Sequence, residues 1–290
     1  MNKFVFYGVS LCLSLGVGAC SSDDKDEPAV PMPVPVEQNG VEFVPYLAEP
    51  TRATDTRFES GDAISVWAVK SVNGNAGTLK SGSGNYANNV RFNYNGSRFV
   101  AATSAIEKSD AEKLNYFAVY PYASTNSSRF TFRVKNDQTS RTNYTLSDLC
   151  LAKTSVMASK TVELSFSHAM AQIIIDVDAS LGNVTSIELP RVAISAIVDL
   201  NNWTIDSTSA SVGSVKMSPN GTRSYRAIIP IQKVAKDYEF AIVHTASGDY
   251  KWNIEQATEF RSGCSYSYTL KATSSGAVNF GGVIAPWQTN

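Results

Sequence analysis

Hydrophobic and polar residues alternate with a period of two along much of the chain after residue 40. In one run Val162, Leu164 and Phe166 are separated by Glu163 and Ser165. The same alternation recurs at residues 130–134, 250–254 and 266–270. Such a pattern turns one side of each strand toward a core and the other toward water, as in an antiparallel sheet. The pattern therefore predicts an all-β fold.

Turn signals divide these runs into many short strands. Asn-Gly dipeptides stand at 73–74, 95–96 and 220–221, and such dipeptides favour tight turns. Only residues 105–114 have a helical pattern. Many strands with frequent turns predict sandwiches or barrels rather than a parallel α/β sheet. Because about 250 residues suit two domains, we predict two tandem antiparallel β-sandwiches, at residues 41–160 and 161–290.

The first nineteen residues have the pattern of a signal peptide. Lys3 precedes an apolar stretch, residues 4–18, that is too short to span a bilayer. It ends in Val17-Gly18-Ala19-Cys20, which resembles the bacterial lipobox, where cleavage leaves an N-terminal cysteine that carries acyl chains such as palmitate. We predict a lipoprotein signal peptide at 1–19 and lipid attachment at Cys20. The alternative is an ordinary secretory peptide with an incidental cysteine.

Residues 20–40 are predicted to be a tether rather than part of the fold. The acidic run at 21–27 resembles the export signal that sends lipoproteins of Bacteroidota to the outer face of the outer membrane. A solvated acidic spacer is the alternative. Four prolines then follow at 28, 31, 33 and 35, and a polyproline stretch of about 3.1 Å per residue acts as a stiff stalk.

The charge balance of the chain argues against nucleic acid as a partner. Lys and Arg total 25 against 26 Asp and Glu, and no basic cluster is present to bind phosphates.

Two cysteines remain beyond Cys20. Cys150 and Cys264 could pair in an oxidising compartment. Cys150 lies between Leu149 and Leu151, which is typical of a buried strand end, so we expect two free thiols.

The sequence contains no motif that indicates an enzyme, a cofactor or a metal. It lacks HExxH, a GxSxG elbow, a phosphate-binding loop and zinc-spaced cysteines and histidines, so we predict no catalytic residue, no cofactor and no metal ligand. Asp176 and Asp178 could be glycosidase carboxylates or cation ligands, but a solvated strand face is favoured. His168 follows a strand pattern, which predicts a hydrogen-bonded structural histidine.

Tryptophans are the remaining candidates for ligand binding. Trp67, Trp203, Trp252 and Trp287 could stack against sugar rings, as in surface glycan-binding lipoproteins. Trp252, however, has apolar neighbours at a period of two, which is typical of a core. A surface glycan-binding lipoprotein is therefore the alternative function.

A series of short motifs resembles the fimbrillins of Bacteroidota, which are subunits of the type V pilus. In chain order the motifs are Phe43, Thr51-Arg52-Ala53, Phe58 to Val66 with Gly61-Asp62 at its centre, Tyr116 to Tyr122 with Tyr120-Pro121, Asp137-Gln138, Ser147-Asp148-Leu149, Phe166 to Ala171 with His168, and Ile284-Ala285-Pro286-Trp287. Cys150 departs from the larger apolar residue expected at its position.

The resemblance implies transthyretin-like folds for the two sandwiches and a surface-exposed outer-membrane lipoprotein of a pilus. It implies assembly with other pilus subunits through strand exchange and a host protein or glycan as a candidate ligand. The removable first strand would be residues 41–47, which Pro45 suits to an edge position. Cleavage would follow Arg52, with Arg57 as the second candidate, and residues 277–284 could be the donor or an ordinary final strand. Stalk, anchor and tip roles stay open.

Overall fold

The computed structural model describes residues 40–47, 57–274 and 276–287, and almost all of their regular structure is β-strand. The prediction of an all-β fold is confirmed. The predicted signal peptide, residues 20–39 of the predicted tether with Cys20, and Arg52 lie outside the described residues. No helix in the described ranges has the length and apolar character that a membrane span requires.

The N-terminal part of the chain forms a closed barrel. The elements up to residue 168 are β1 (Glu42–Leu47), β2 (Ala63–Lys70), β3 (Ala87–Tyr94), β4 (Phe99–Ala101), β5 (Leu114–Tyr120), β6 (Arg129–Arg133), helix α1 (Arg141–Thr145), β7 (Cys150–Lys153) and β8 (Thr161–His168). Around the barrel the strands follow one another in the order β1, β4, β3, β2, β5, β7, β8.

The C-terminal part is built around a nine-stranded sheet. Its elements are β9 (Ala171–Val177), a 3₁₀ turn (Ala179–Leu181), β10 (Val184–Ala193), β11 (Ser195–Asp199), β12 (Thr204–Asp206), β13 (Val212–Lys216), β14 (Ser218–Pro219), β15 (Ser224–Ile229), β16 (Gln232–Val234), β17 (Glu239–Thr245), β18 (Gly248–Asn253), β19 (Thr258–Phe260), β20 (Cys264–Thr273) and β21 (Gly276–Pro286). The order in the large sheet is β13, β10, β17, β18, β21, β20, β9, β15, β14. A three-stranded sheet, β12, β11, β6, takes in β6 from the N-terminal half of the chain, and β16 pairs with β19.

The sequence predicted antiparallel sheets, but the sheets of the structure are mixed. Parallel pairs join β1 to β8, β9 to β20, and β18 to β21. The chain passes from the barrel to the large sheet between His168 and Ala171, beyond the predicted boundary at residue 160. The transthyretin-like organisation and the domain limits themselves stay predictions.

Burial explains why some strands alternate and others do not. In β8 every second side chain is buried, because its outer face is exposed to water. β2 and β5 are buried on both faces. Val66 and Ala68 belong to the core inside the barrel, whereas Trp67 and Val69 belong to the larger core shared with the C-terminal sheet.

Two local expectations are wrong. Residues 105–114 are not helical: the Ile106 carbonyl accepts a hydrogen bond from the Val41 N–H at 2.7 Å, and Glu107 bridges to Gly40, so tertiary pairing overrides a weak local preference. The strand β1 is also not an edge strand, because it lies between β4 and β8 and helps to close the barrel.

Candidate functional site

Strand β1 is joined unequally to its two neighbours. It pairs with β8 at every residue from Glu42 to Leu47, but the ladder to β4 consists of the single pair Phe43 and Phe99. Pro45 has no N–H to donate, and a strand whose pairing stops short on one side tolerates such a residue. The strand is therefore held mainly from the β8 side and by its side chains.

The inward side chains of β1 fill the barrel. Phe43 is fully buried, and its ring makes edge contacts with Phe92 at 4.9 Å and Tyr116 at 5.2 Å between centroids. Tyr46, on the other face, is 49% exposed. We call the buried apolar residues of the barrel core beside β1 the first-strand groove: Phe92, Phe99, Tyr116, Val162, Leu164 and Phe166.

Arg57, the first described residue after β1, is exposed to solvent, as a protease site requires. The next residue, Phe58, packs its ring against Phe99 and Phe166 at centroid distances of 5.0 and 5.2 Å. Phe58 therefore holds the start of this segment against the barrel.

Several polar side chains meet at one end of the barrel, in what we call the polar pocket. β2, β5, β7 and β8 are antiparallel neighbours, so the start of β2 and β7 and the end of β5 and β8 lie at the same end. Asp62 precedes β2, Tyr120 ends β5, Cys150 begins β7 and His168 ends β8. A cavity of about 290 Å³ lies there, also lined by Asp148, Leu47 and Arg57.

Hydrogen bonds connect most members of the polar pocket. His168 Nδ1 lies 2.8 Å from Asp148 Oδ1 and 3.5 Å from Cys150 Sγ. The Tyr120 hydroxyl donates to Asp62 Oδ1 at 3.1 Å. The prediction of a hydrogen-bonded structural histidine at His168 agrees with these contacts, and Cys150 and Cys264 are both free thiols, as expected.

Burial governs the ionisation of this pocket. It raises the pKa of the Asp62 carboxyl above its usual value, although hydrogen bonds from the Glu59 N–H and the Tyr120 hydroxyl oppose the rise. Burial likewise raises the pKa of the Cys150 thiol, with a further contribution from the Asp148 carboxylate. The thiol is therefore protonated at neutral pH and is not a reactive nucleophile.

The C-terminal end of the described chain covers His168. The Trp287 indole stacks on the imidazole with centroids 4.1 Å apart and planes 7° from parallel. The backbone N–H of Trp287 donates to the Gly263 carbonyl at 2.5 Å. The second ring nitrogen of His168 has no hydrogen-bond partner among the described residues. Stacking and the bonds at Nδ1 therefore set the orientation of the ring.

The other sequence candidates do not form a site. Trp67 and Trp252 are fully buried, Trp287 lies on His168, and Lys153 Nζ covers the half-buried Trp203 at 4.6 Å from the ring centroid. Three of the four are therefore buried, and a lysine ammonium already lies over the ring of the fourth. The two aspartates separate, since Asp176 lies within β9 whereas Asp178 caps the 3₁₀ turn, accepting from the Ser180 N–H at 2.9 Å.

Strand β21 contains the candidate donor segment 277–284. It pairs with β20 along most of its length, but its ladder to β18 is the single pair Trp252 and Ala277. Val283 and Ile284 are 64% and 66% exposed. In this structure the segment is the ordinary final strand of the C-terminal sheet, with an apolar pair facing water.

Sequence reasoning missed the convergence of Asp148, Cys150 and His168. The available signal was a carboxylate and a thiol two residues apart at a strand start, together with a histidine that closes an alternating strand. Nothing in the sequence shows that β7 and β8 are neighbours, so the signal could not be completed.

The chain matches the model of a protein family described as fimbrillin-like over residues 51–287. A structure from Bacteroides uniformis described as a putative cell adhesion protein has a TM-score of 0.64 at 16% identity, covering 86% of this chain and 97% of that one. A protein of the same description from Bacteroides ovatus also has a TM-score of 0.64 at 16% identity, over 87% and 98%.

A fimbrial protein from Bacteroides vulgatus has a TM-score of 0.51 at 15% identity, covering 86% of this chain and 99% of that one. At these identities the structural matches show a shared fold. No curated protein matches the chain by sequence.

Proposed function

Because this chain belongs to the fimbrillin-like family, we propose that it is a subunit of a surface pilus with a structural or adhesive role. Membership of the family confirms the prediction of a structural protein rather than an enzyme. Its partners are other fimbrial subunits. The finer proposals concern how it joins them and how it is held at the cell surface.

We propose that assembly proceeds by strand exchange at the first-strand groove. The observation that carries this proposal is the unequal attachment of β1, with a full ladder to β8 and one pair to β4. Loss of β1 would leave the edges of β8 and β4 unpaired above an apolar groove. An extended segment of another subunit could fill it, because backbone hydrogen bonds supply affinity and alternating side chains set the register.

Arg52 is the favoured cleavage site of the two candidates. A cut after Arg57 would create a charged amino terminus on Phe58, whose ring packs against Phe99 and Phe166, and burial of a charge near apolar groups is unfavourable. A cut after Arg52 leaves five further residues between the new terminus and Phe58. We therefore expect processing at Arg52 in a stalk-forming subunit.

The donor segment that we propose is 277–284 within β21. The exposed Val283 and Ile284 supply apolar side chains, and the single pair to β18 leaves little to break on that side. Release from β20 would still break a long antiparallel ladder. Donation is therefore favourable only if the ladder that the segment forms in the acceptor groove is stronger than the ladder to β20 that it leaves.

Trimming at Arg52 tests the strand-exchange proposal. We expect purified protein treated with an arginine-specific protease to form oligomers that elute early in size-exclusion chromatography and appear as fibres by electron microscopy. A variant in which Arg52 and Arg57 are both changed to alanine should stay monomeric under the same treatment. Trimmed protein that remains monomeric and folded would contradict a stalk-subunit role.

We also propose that the protein is an outer-membrane lipoprotein anchored through Cys20. Support comes from the lipobox-like Val17-Gly18-Ala19-Cys20 and the acidic run after it. Several acyl chains hold a protein on a membrane far better than one, since each buried methylene contributes about 0.8 kcal/mol. The tether at 20–40 would then raise the fold above the cell surface.

Replacement of Cys20 by alanine should abolish lipidation. The variant has no thiol to accept the acyl chain, so labelled fatty acid should not be incorporated and the protein should leave the membrane fraction. Cys12, which lies within the apolar stretch, is the matched control, and Cys12→Ala should be lipidated normally. Membrane retention of Cys20→Ala with continued labelling would refute the anchor.

A further inference from the structure

We propose that Asp148, Cys150 and His168 bind one zinc ion at the polar pocket. The three side chains come from the start of β7 and the end of β8, and one ligand atom from each lies within 4.8 Å of the others. The three proposed ligands lie on and beside β7 and β8 and none belongs to β1, although Leu47 of β1 also lines the cavity.

The distances fit tetrahedral coordination. Bonds of about 2.3 Å to sulfur and about 2.0–2.1 Å to nitrogen at a tetrahedral angle separate the two ligand atoms by about 3.5 Å. Cys150 Sγ and His168 Nδ1 are 3.5 Å apart. The gap between His168 Nδ1 and Asp148 Oδ1, now 2.8 Å, would have to widen by roughly 0.6 Å. A small rotation of the Asp148 side chain achieves this.

The ligand set favours zinc over calcium or magnesium. Calcium and magnesium prefer oxygen ligands, whereas a thiolate, an imidazole and a carboxylate together suit zinc. All three residues line the cavity of about 290 Å³, so an ion has a route in and a water molecule can take the fourth position. Three protein ligands and one open position are typical of an accessible zinc site.

Proton balance accompanies binding. The Cys150 thiol loses one proton to solvent as its sulfur bonds to zinc. The imidazole binds zinc in its neutral form through Nδ1, so its one proton lies on the other ring nitrogen in the metal-bound state. That nitrogen has no hydrogen-bond partner among the described residues, and a missing outer-shell partner weakens zinc sites by about 10–100-fold. We therefore expect a moderate affinity that does not control folding.

Cobalt(II) is the probe for this site, because a thiolate–cobalt bond absorbs in the near ultraviolet. Mature protein, kept reduced with a non-thiol reductant, should develop this absorption on addition of Co²⁺ and lose it when Zn²⁺ is added. Cys264→Ser removes the other described thiol and should leave the absorption unchanged. Cys150→Ser should abolish it.

Asp148→Asn supplies a second variant, because the amide retains a hydrogen-bonding oxygen while losing the charge. Because loss of even an outer-shell partner weakens metal sites about tenfold or more, loss of the Asp148 charge at the metal should weaken Co²⁺ binding by at least that factor, with the charge-transfer band still formed at high metal concentration. Absence of the band in the wild-type protein would overturn the proposal, as would a band that persists in Cys150→Ser or disappears in Cys264→Ser.

Discussion

Phe43→Ala should lower the free energy of unfolding by about 3–5 kcal/mol, the range for truncation of a fully buried aromatic residue. The ring is 0% exposed and makes edge contacts with Phe92 and Tyr116, so its loss leaves a cavity that the barrel cannot easily close. Urea denaturation followed by tryptophan fluorescence measures the change as a shift of the midpoint.

Tyr46→Ala is the matched control, because Tyr46 lies on the same strand but faces water. Its effect should stay within about 0.5 kcal/mol. Equal costs for the two variants would show that β1 does not fill the barrel core, and the first-strand groove would then lose its basis.

A synthetic peptide of residues 40–47 should bind to protein trimmed at Arg52 and suppress its oligomers. The peptide restores the ladder to β8 and returns the Phe43 ring to the groove, so it competes with the donor segment of another subunit. The fraction of monomer in size-exclusion chromatography, measured against peptide concentration, reports the competition.

The control peptide carries Phe43→Ala. Loss of about 3–5 kcal/mol of side-chain packing should weaken binding by at least about 100-fold, so this peptide should leave the oligomers intact. Oligomers that persist equally with both peptides would mean that trimmed subunits associate elsewhere than in the groove.

The local β structure could be predicted from the sequence where one face of a strand meets water. The alternation in 162–166 corresponds to the buried and exposed faces of β8. In β2 and β5 both faces are buried, so alternation is lost and only the apolar run remains. The helix predicted for residues 105–114 is wrong because Val41 pairs with Ile106. A local pattern does not reveal a pairing between residues so far apart in sequence.

The polar pocket could be predicted even less than the strands, because its residues are brought together by long-range strand pairing. The resemblance to fimbrillins covered Asp62, Tyr120, Asp148, His168 and Trp287 as separate motifs. Their meeting at one end of the barrel follows from the strand order β2, β5, β7, β8 and from the last strand reaching back to His168. Local patterns do not determine that order, since parallel and antiparallel neighbours are chosen by packing across the whole core.

Amide hydrogen exchange in β8 tests the central claim most directly. The amides of Val162, Leu164 and Phe166 should be protected in the intact protein, should exchange rapidly in trimmed monomer, and should regain protection in the oligomer, where a strand from another subunit replaces β1. The amides of Ile173 and Ile175 in β9 should stay protected throughout. Protection of β8 that survives trimming in the monomer, or that fails to return in the oligomer, would contradict assembly by strand exchange.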